Sequence, residues 1–177
     1  MANRAVFIDR DGTIVEDVNY CRSPEDLRLF STTAKAIKLL NINAFKIILI
    51  TNQSGVARGY FTEDTLVQIH HKMEEELSKA GAHIDAIYYC PHHPEDNCDC
   101  RKPKPKLVLQ AAKTYDIDLD HSFVVGDDDK DILLGKSVGC NTILINNSPS
   151  INQNVIPDLV VPDPLEAAQS ILKWRYQ

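Results

Sequence analysis

Along the chain, short apolar runs alternate with longer stretches in which apolar residues recur every three to four positions. The runs Ala5 to Asp9, Lys46 to Thr51, Ala86 to Cys90, Ser122 to Gly126 and Thr142 to Ile145 are rich in Val, Ile, Phe or Tyr and end in polar residues or glycine, the pattern of strands buried on both faces. The clearest helix runs from about Glu63 to Ala80: Thr62 stands as its N-cap, acids fill its first turn, and Leu66, Ile69, Met73 and Leu77 form one apolar stripe before Gly81. Further helices are expected near Ala34 to Leu40, Pro105 to Tyr115, Asp129 to Val138 and Pro164 to Trp174. This alternation predicts an α/β protein, a Rossmann-like parallel sheet with helices on both faces. Ligands of such sheets gather at the carboxyl ends of the strands, so Asp9, Thr51 and Asp127 are expected to share one crevice despite their separation in sequence.

Composition narrows the class. With 177 residues, 44% hydrophobic and 25% charged, residues 1–177 suit one domain whose core does not depend on disulfides. No stretch approaches the roughly 18 consecutive apolar residues of a membrane span, and the N-terminus enters a strand-like run too soon for a signal peptide, so the expectation is a cytoplasmic protein without a membrane partner. Twenty-five acidic residues against 19 basic give a net charge of -6, which argues against a general nucleic-acid surface and requires that any anionic ligand be held by a local patch. Of the five cysteines, Cys21 and Cys140 read as packing residues, while Cys90, Cys98 and Cys100 crowd into a Pro- and His-rich segment, Pro91 to Pro105, too long and irregular for a simple turn.

That segment supplies the strongest chemical signal. Cys90, His92, Cys98 and Cys100 offer three thiolates and one imidazole, a closed tetrahedral set for structural Zn2+ over residues 90–100, with His93 left outside it. The metal would order the loop and fix the cations that follow, Arg101-Lys102-Pro103-Lys104-Pro105-Lys106, of which Arg101 and Lys102 are the favoured anion ligands. At the end of the first run, Asp9-Arg10-Asp11-Gly12-Thr13 either caps a turn or places two carboxylates around one reacting centre, one able to act as nucleophile and its neighbour as general acid and base. The acids in Gly126-Asp127-Asp128-Asp129-Lys130-Asp131 would repel one another without a cation; Mg2+ fits, with Asp9 and Asp127 as side-chain ligands and some of Asp128, Asp129 and Asp131 merely opening a surface helix. Thr51-Asn52-Gln53-Ser54-Gly55 adds a hydroxyl, amides and a glycine suited to an anion. Gly135-Lys136-Ser137 is not a nucleotide-binding loop, because Lys130 stands where that motif needs glycine.

Together, Asp9-Arg10-Asp11-Gly12-Thr13, Thr51 to Gly55, Arg101-Lys102-Pro103 and Gly126-Asp127 resemble the four motifs of the haloacid dehalogenase (HAD) superfamily phosphatases. Tyr88 to Pro94, Cys98-Asp99-Cys100 and Val56 to Gly59 make the chain similar in particular to the D,D-heptose 1,7-bisphosphate phosphatases, which remove the 7-phosphate in building activated heptose for cell-surface polysaccharides such as lipopolysaccharide. The resemblance implies a HAD-like fold without a large cap domain, and Mg2+ held by Asp9, Asp127 and the backbone carbonyl of Asp11. It further implies that Asp9 is the nucleophile and Asp11 the general acid and base, that Thr51 and Lys102 hold the phosphoryl group, and that a small phosphorylated sugar touches Asp17, Val18, Asn19, Tyr20, Asn52, Gln53, Ser54 and Arg101. A monomer is the simplest expectation. The five residues between His92 and Cys98, with Lys104 to Leu107, look more like histidinol-phosphate phosphatase, which leaves that substrate as the alternative. A silent phosphate-binding module is the remaining reading, disfavoured because a binder needs no pair of carboxylates aimed at an anion. Val15 replaces a common Asn, and Asn43-Ala44 stands where a glycine is expected after the first helix.

Overall fold

The computed structural model describes residues 2–145, 152 and 154–175. Its apolar runs form six parallel strands: β1 (Arg4–Ile8), β2 (Phe45–Asn52), β3 (Ala86–Cys90), β4 (Phe123–Gly126), β5 (Asn141–Ile145) and β6 (Leu159–Val161). They lie in the order β3-β2-β1-β4-β5-β6. The helices α1 (Thr33–Ile42), α2 (Glu63–Lys79), α3 (Lys106–Tyr115), α4 (Asp129–Val138) and α5 (Pro164–Leu172) connect or follow them. The strand Leu159–Val161 was not among the expected runs: three residues with the middle one exposed carry too little apolar pattern to stand out, and pairing with β5 is what makes them a strand.

Alternation along β1 divides the interior in two. Val6 and Ile8 point to a core shared with Ile37 and Leu40 of α1, Ile69, Met73 and Leu77 of α2, and Ala168 and Ile171 of α5. Ala5 and Phe7 point the other way, to Leu107, Val108 and Ala111 of α3 and Leu134 of α4. Helices therefore cover both faces, as expected of all-parallel strands. The predicted cap forms, Thr62 accepting from the Thr65 amide at 3.1 Å, and Asp128 likewise caps α4 by accepting from the Lys130 amide at 2.8 Å.

The chain runs outward from β1 through β2 to β3, then returns across the sheet to place β4 on the other side of β1. This reversal opens a crevice at the carboxyl ends of β1 and β4. Among the described residues, no helix is long and apolar enough to cross a membrane.

Candidate active site

Asp9 leaves β1 with its amide still bonded to the Val125 carbonyl, 3.0 Å away, so the sheet carries it to the crevice. The chain then turns tightly on the Arg10 carbonyl, which accepts from the amides of Thr13, Ile14 and Val15. Gly12 makes the turn possible: its φ is +77°, and a Cβ there would lie 2.2 Å from Asp127 Oδ2. Asp127, just past β4, accepts from Thr13 Oγ1 at 3.1 Å. Thr51 and Asn52 arrive from the end of β2.

Lys102 is the electrostatic centre. Its side chain is 4% exposed, and Nζ lies 2.8 Å from Asp9 Oδ1 and 2.7 Å from Asp131 Oδ1. Burial disfavours the ammonium charge, but Asp131 and Asp9 outweigh it and hold the group protonated beyond lysine's ordinary range. Asn52 fixes the backbone on either side of that charge, accepting from the Lys102 amide at 3.0 Å and donating to its carbonyl at 3.3 Å. Asp131 is 1% exposed and belongs to the site, not to a solvated helix start. Its signal was its place three residues after Asp128, the N3 position of α4, in the first turn of the helix.

One oxygen from each of Asp9, Asp127 and Asp131 lies within 4.8 Å of the others. Burial, with Asp9 beside it, pushes the Asp127 carboxyl up to about 6. Burial raises Asp131 too, against the pull of Lys102. With Asp131 taken up by Lys102, the Asp9 and Asp127 carboxylates side by side are hard oxygen donors whose repulsion a divalent cation relieves, so they fit Mg2+. The Asp11 carboxylate stands apart from this set. It takes bonds from Arg10 Nε (3.1 Å to each oxygen), Arg10 Nη2 (2.9 Å) and Gln53 Nε2 (2.8 Å).

The second cluster lies at the end of β3. Cys90 Sγ is 3.5 Å from Cys98 Sγ and from His92 Nδ1; Cys100 Sγ is 3.2 Å from His92 Nδ1 and 3.7 Å from Cys98 Sγ. Tetrahedral zinc bonds of about 2.3 Å to sulfur and about 2.0 Å to nitrogen demand edges of about 3.8 and 3.5 Å, so the four groups fit Zn2+. Lys104 Nζ closes the loop on the Asn97 and Cys98 carbonyls, at 3.2 and 2.6 Å, and His93 caps its short Pro94–Asp96 turn. Cys21 and Cys140 are buried packing residues, and burial pushes the Cys140 thiol up to about 12.

A cavity of about 120 Å³ is lined by Asp9, Asp11, Thr51, Asn52, Arg101, Lys102 and Asp131, with Asp128 and Lys130 at its side. Arg101 Nη1 is buried with no hydrogen-bond partner among the described residues, the condition of a donor that lacks an anion. The structure thus brings together Asp9, Asp11, Thr51, Lys102, Asn52 and Arg101. It does not bring the rest of the expected substrate contacts into this cavity. Val18, Asn19 and Tyr20 line a separate one of about 450 Å³ with Arg22 and Arg28, and Asp17 accepts from the Asn19 amide. Ser54 is buried, and Gln53 is occupied by Arg10, Asp11 and Thr51.

Residues 99–167 match a family described as HAD-hydrolase-like. The chain is 40% identical over 158 residues to the D-glycero-beta-D-manno-heptose-1,7-bisphosphate 7-phosphatase of Pasteurella multocida (strain Pm70), covering 85% of this chain and 86% of that protein. It is 44% identical over 148 residues to the enzyme of the same name from Helicobacter pylori (strain ATCC 700392 / 26695), covering 82% and 86%. Among solved structures, D,D-heptose 1,7-bisphosphate phosphatase from B. bronchiseptica, complexed with magnesium and phosphate, superposes with a TM-score of 0.88 at 35% identity, covering 96% of this chain and 98% of that one.

Proposed function

This chain belongs to the D-glycero-beta-D-manno-heptose-1,7-bisphosphate 7-phosphatase family of HAD-like hydrolases, and from that membership we propose that it hydrolyses the 7-phosphate of a D-glycero-D-manno-heptose 1,7-bisphosphate through an aspartyl-phosphate on Asp9. The observation that carries the chemistry is the pair of carboxylates in one cavity under different control: Asp9 against the Lys102 ammonium, Asp11 against Arg10 and Gln53.

An Asp9 carboxylate oxygen attacks phosphorus as the bond to the sugar C7 oxygen breaks, and Asp11 gives that oxygen its proton. Asp11 then takes a proton from water, the water oxygen attacks phosphorus, and Asp9 departs as a carboxylate with inorganic phosphate released. Thr51 Oγ1, Lys102 Nζ and the Arg101 guanidinium, whose Nη1 has no partner among the described residues, hold the phosphoryl oxygens, and Asp131 keeps Lys102 in place. Mg2+ held by Asp9, Asp127 and the Asp11 carbonyl would supply charge neutralisation between nucleophile and phosphate. Zn2+ on Cys90, His92, Cys98 and Cys100 would fix Arg101 and Lys102, which follow Cys100 directly. The reading takes residues 1–177 as one catalytic unit, a cytoplasmic monomer acting on a small phosphorylated sugar, with neither nucleic acid nor membrane as partner.

The relatives named above favour the heptose bisphosphate over histidinol phosphate, the substrate to which the short His92–Cys98 spacing pointed. The test is phosphate release with Mg2+ from the two compounds side by side, with Asp9→Asn excluding a contaminant. Preference for the heptose bisphosphate is expected; preference for histidinol phosphate refutes the substrate assignment, and turnover that survives Asp9→Asn refutes the nucleophile.

A further inference from the structure

Arg10 stands between the two carboxylates in sequence, yet among the described residues it is the largest fully buried side chain, 1% exposed. A guanidinium there needs acceptors in the directions its rigid fork sets. Nε and Nη2 meet the Asp11 carboxylate, Nη2 also reaches Gln53 Oε1 at 3.0 Å, and Nη1 lies 3.3 Å from His70 Nε2. Since Nη1 can only donate, His70 Nε2 is the acceptor and its ring is neutral. Burial and the Arg10 charge agree, lowering His70 to about 3. His70 sits on α2 in the buried stripe, between Leu66 and Met73, and its ring is 5.9 Å from that of Tyr89, whose hydroxyl donates to Glu63 at 2.8 Å. The Asp11 side chain, 28% exposed, is thus held from behind while it faces the cavity.

We infer that Arg10 and His70 are positioning residues for Asp11: His70 orients the Arg10 fork, and the fork with Gln53 aims the carboxyl at the oxygen of the departing sugar. The inference rests on the general acid and base role of Asp11 proposed above. It assigns α2, which touches no reacting atom, a part in leaving-group protonation.

An alkoxide needs a proton to leave and p-nitrophenolate does not, so loss of aim must depress turnover of the sugar phosphate selectively. The variants are His70→Leu, without an acceptor; His70→Asn, whose amide is too short to reach Nη1; and His70→Gln, which keeps an acceptor within reach. The readout is kcat/KM, which covers only the steps through leaving-group departure, on the heptose bisphosphate and on p-nitrophenyl phosphate.

The sugar-to-nitrophenyl ratio is expected to fall about 10-fold or more in His70→Leu and His70→Asn, part of the roughly 10²–10⁴-fold general acid contribution, and to recover in His70→Gln. If His70→Leu does not fold, the Asn and Gln variants decide the matter. An unchanged ratio in active variants, whatever the absolute loss, makes His70 merely structural and overturns the inference while leaving the phosphatase reading intact. A wild-type chain inactive on the heptose bisphosphate refutes the substrate instead, and the ratio is then read on another alkyl phosphate that it turns over. A chain that hydrolyses no phosphate ester overturns both.

Discussion

Replacing Lys102 with methionine removes one positive charge from among three acids while keeping the side chain up to the position of Cε. At an effective dielectric of about 20, contacts of 2.7 and 2.8 Å each carry a gross attraction of about 6 kcal/mol, much of which desolvation cancels. Deleting one partner leaves the other carboxylates buried and uncompensated, which costs about 3–5 kcal/mol. For a chain of this size that is a fall in Tm of about 6–20 °C, read by calorimetry in Mg2+-free buffer. Phosphate release should drop at least about 10²-fold, the usual effect of removing one preorganised donor from a developing charge. A second substitution, Asp131→Asn, deletes the orphaned acid, so the double variant should be more stable than Lys102→Met alone by about 1 kcal/mol or more. A double variant that loses the sum of the two single effects would refute the network and the role given to Asp131.

Other outcomes follow from the same structure. Ala44 is held at a φ of +61° after α1, where glycine is expected; Ala44→Gly should raise stability by about 1 kcal/mol in denaturant melts, and a loss would mean the turn is not strained. Metal analysis should find one zinc per chain. Cys98→Ser should remove it and, by loosening Arg101 and Lys102, lower kcat/KM by up to about 10²-fold; full activity without zinc would contradict the scaffold role. Because the folded Asp127 carboxyl titrates near 6 and the unfolded one near 3.8, the folded state binds more protons between these values. Mg2+-free protein should therefore lose stability as pH rises from about 4 through about 6. Asp127→Asn or added Mg2+ should flatten that slope in thermal scans, and a slope unchanged by both would refute the assignment.

The sheet, its parallel sense and most of its helices were legible in the sequence, because burial on both faces leaves unbroken Val and Ile runs and α2 carries an uninterrupted stripe from Leu66 to Leu77. The clustering of Cys90, His92, Cys98 and Cys100 was legible because ligand type and spacing are local properties of residues 90–100. So was the convergence of Asp9, Thr51 and Asp127, since strand ends in a parallel sheet converge whatever their separation. What the sequence could not reveal were the partners of charges brought together by folding. Asp131 was one of three acids of which some were read as opening a surface helix, and folding turns it onto Lys102; Arg10 carried no reading of its own, and α2 supplies His70 as its acceptor. Gln53, expected to touch substrate, bonds to Arg10, Asp11 and Thr51, and Val18, Asn19 and Tyr20 line a cavity of their own. The difference is physical: periodicity and ligand spacing act within a few residues of chain, whereas a buried charge is settled only by the groups that the packing of distant elements places around it.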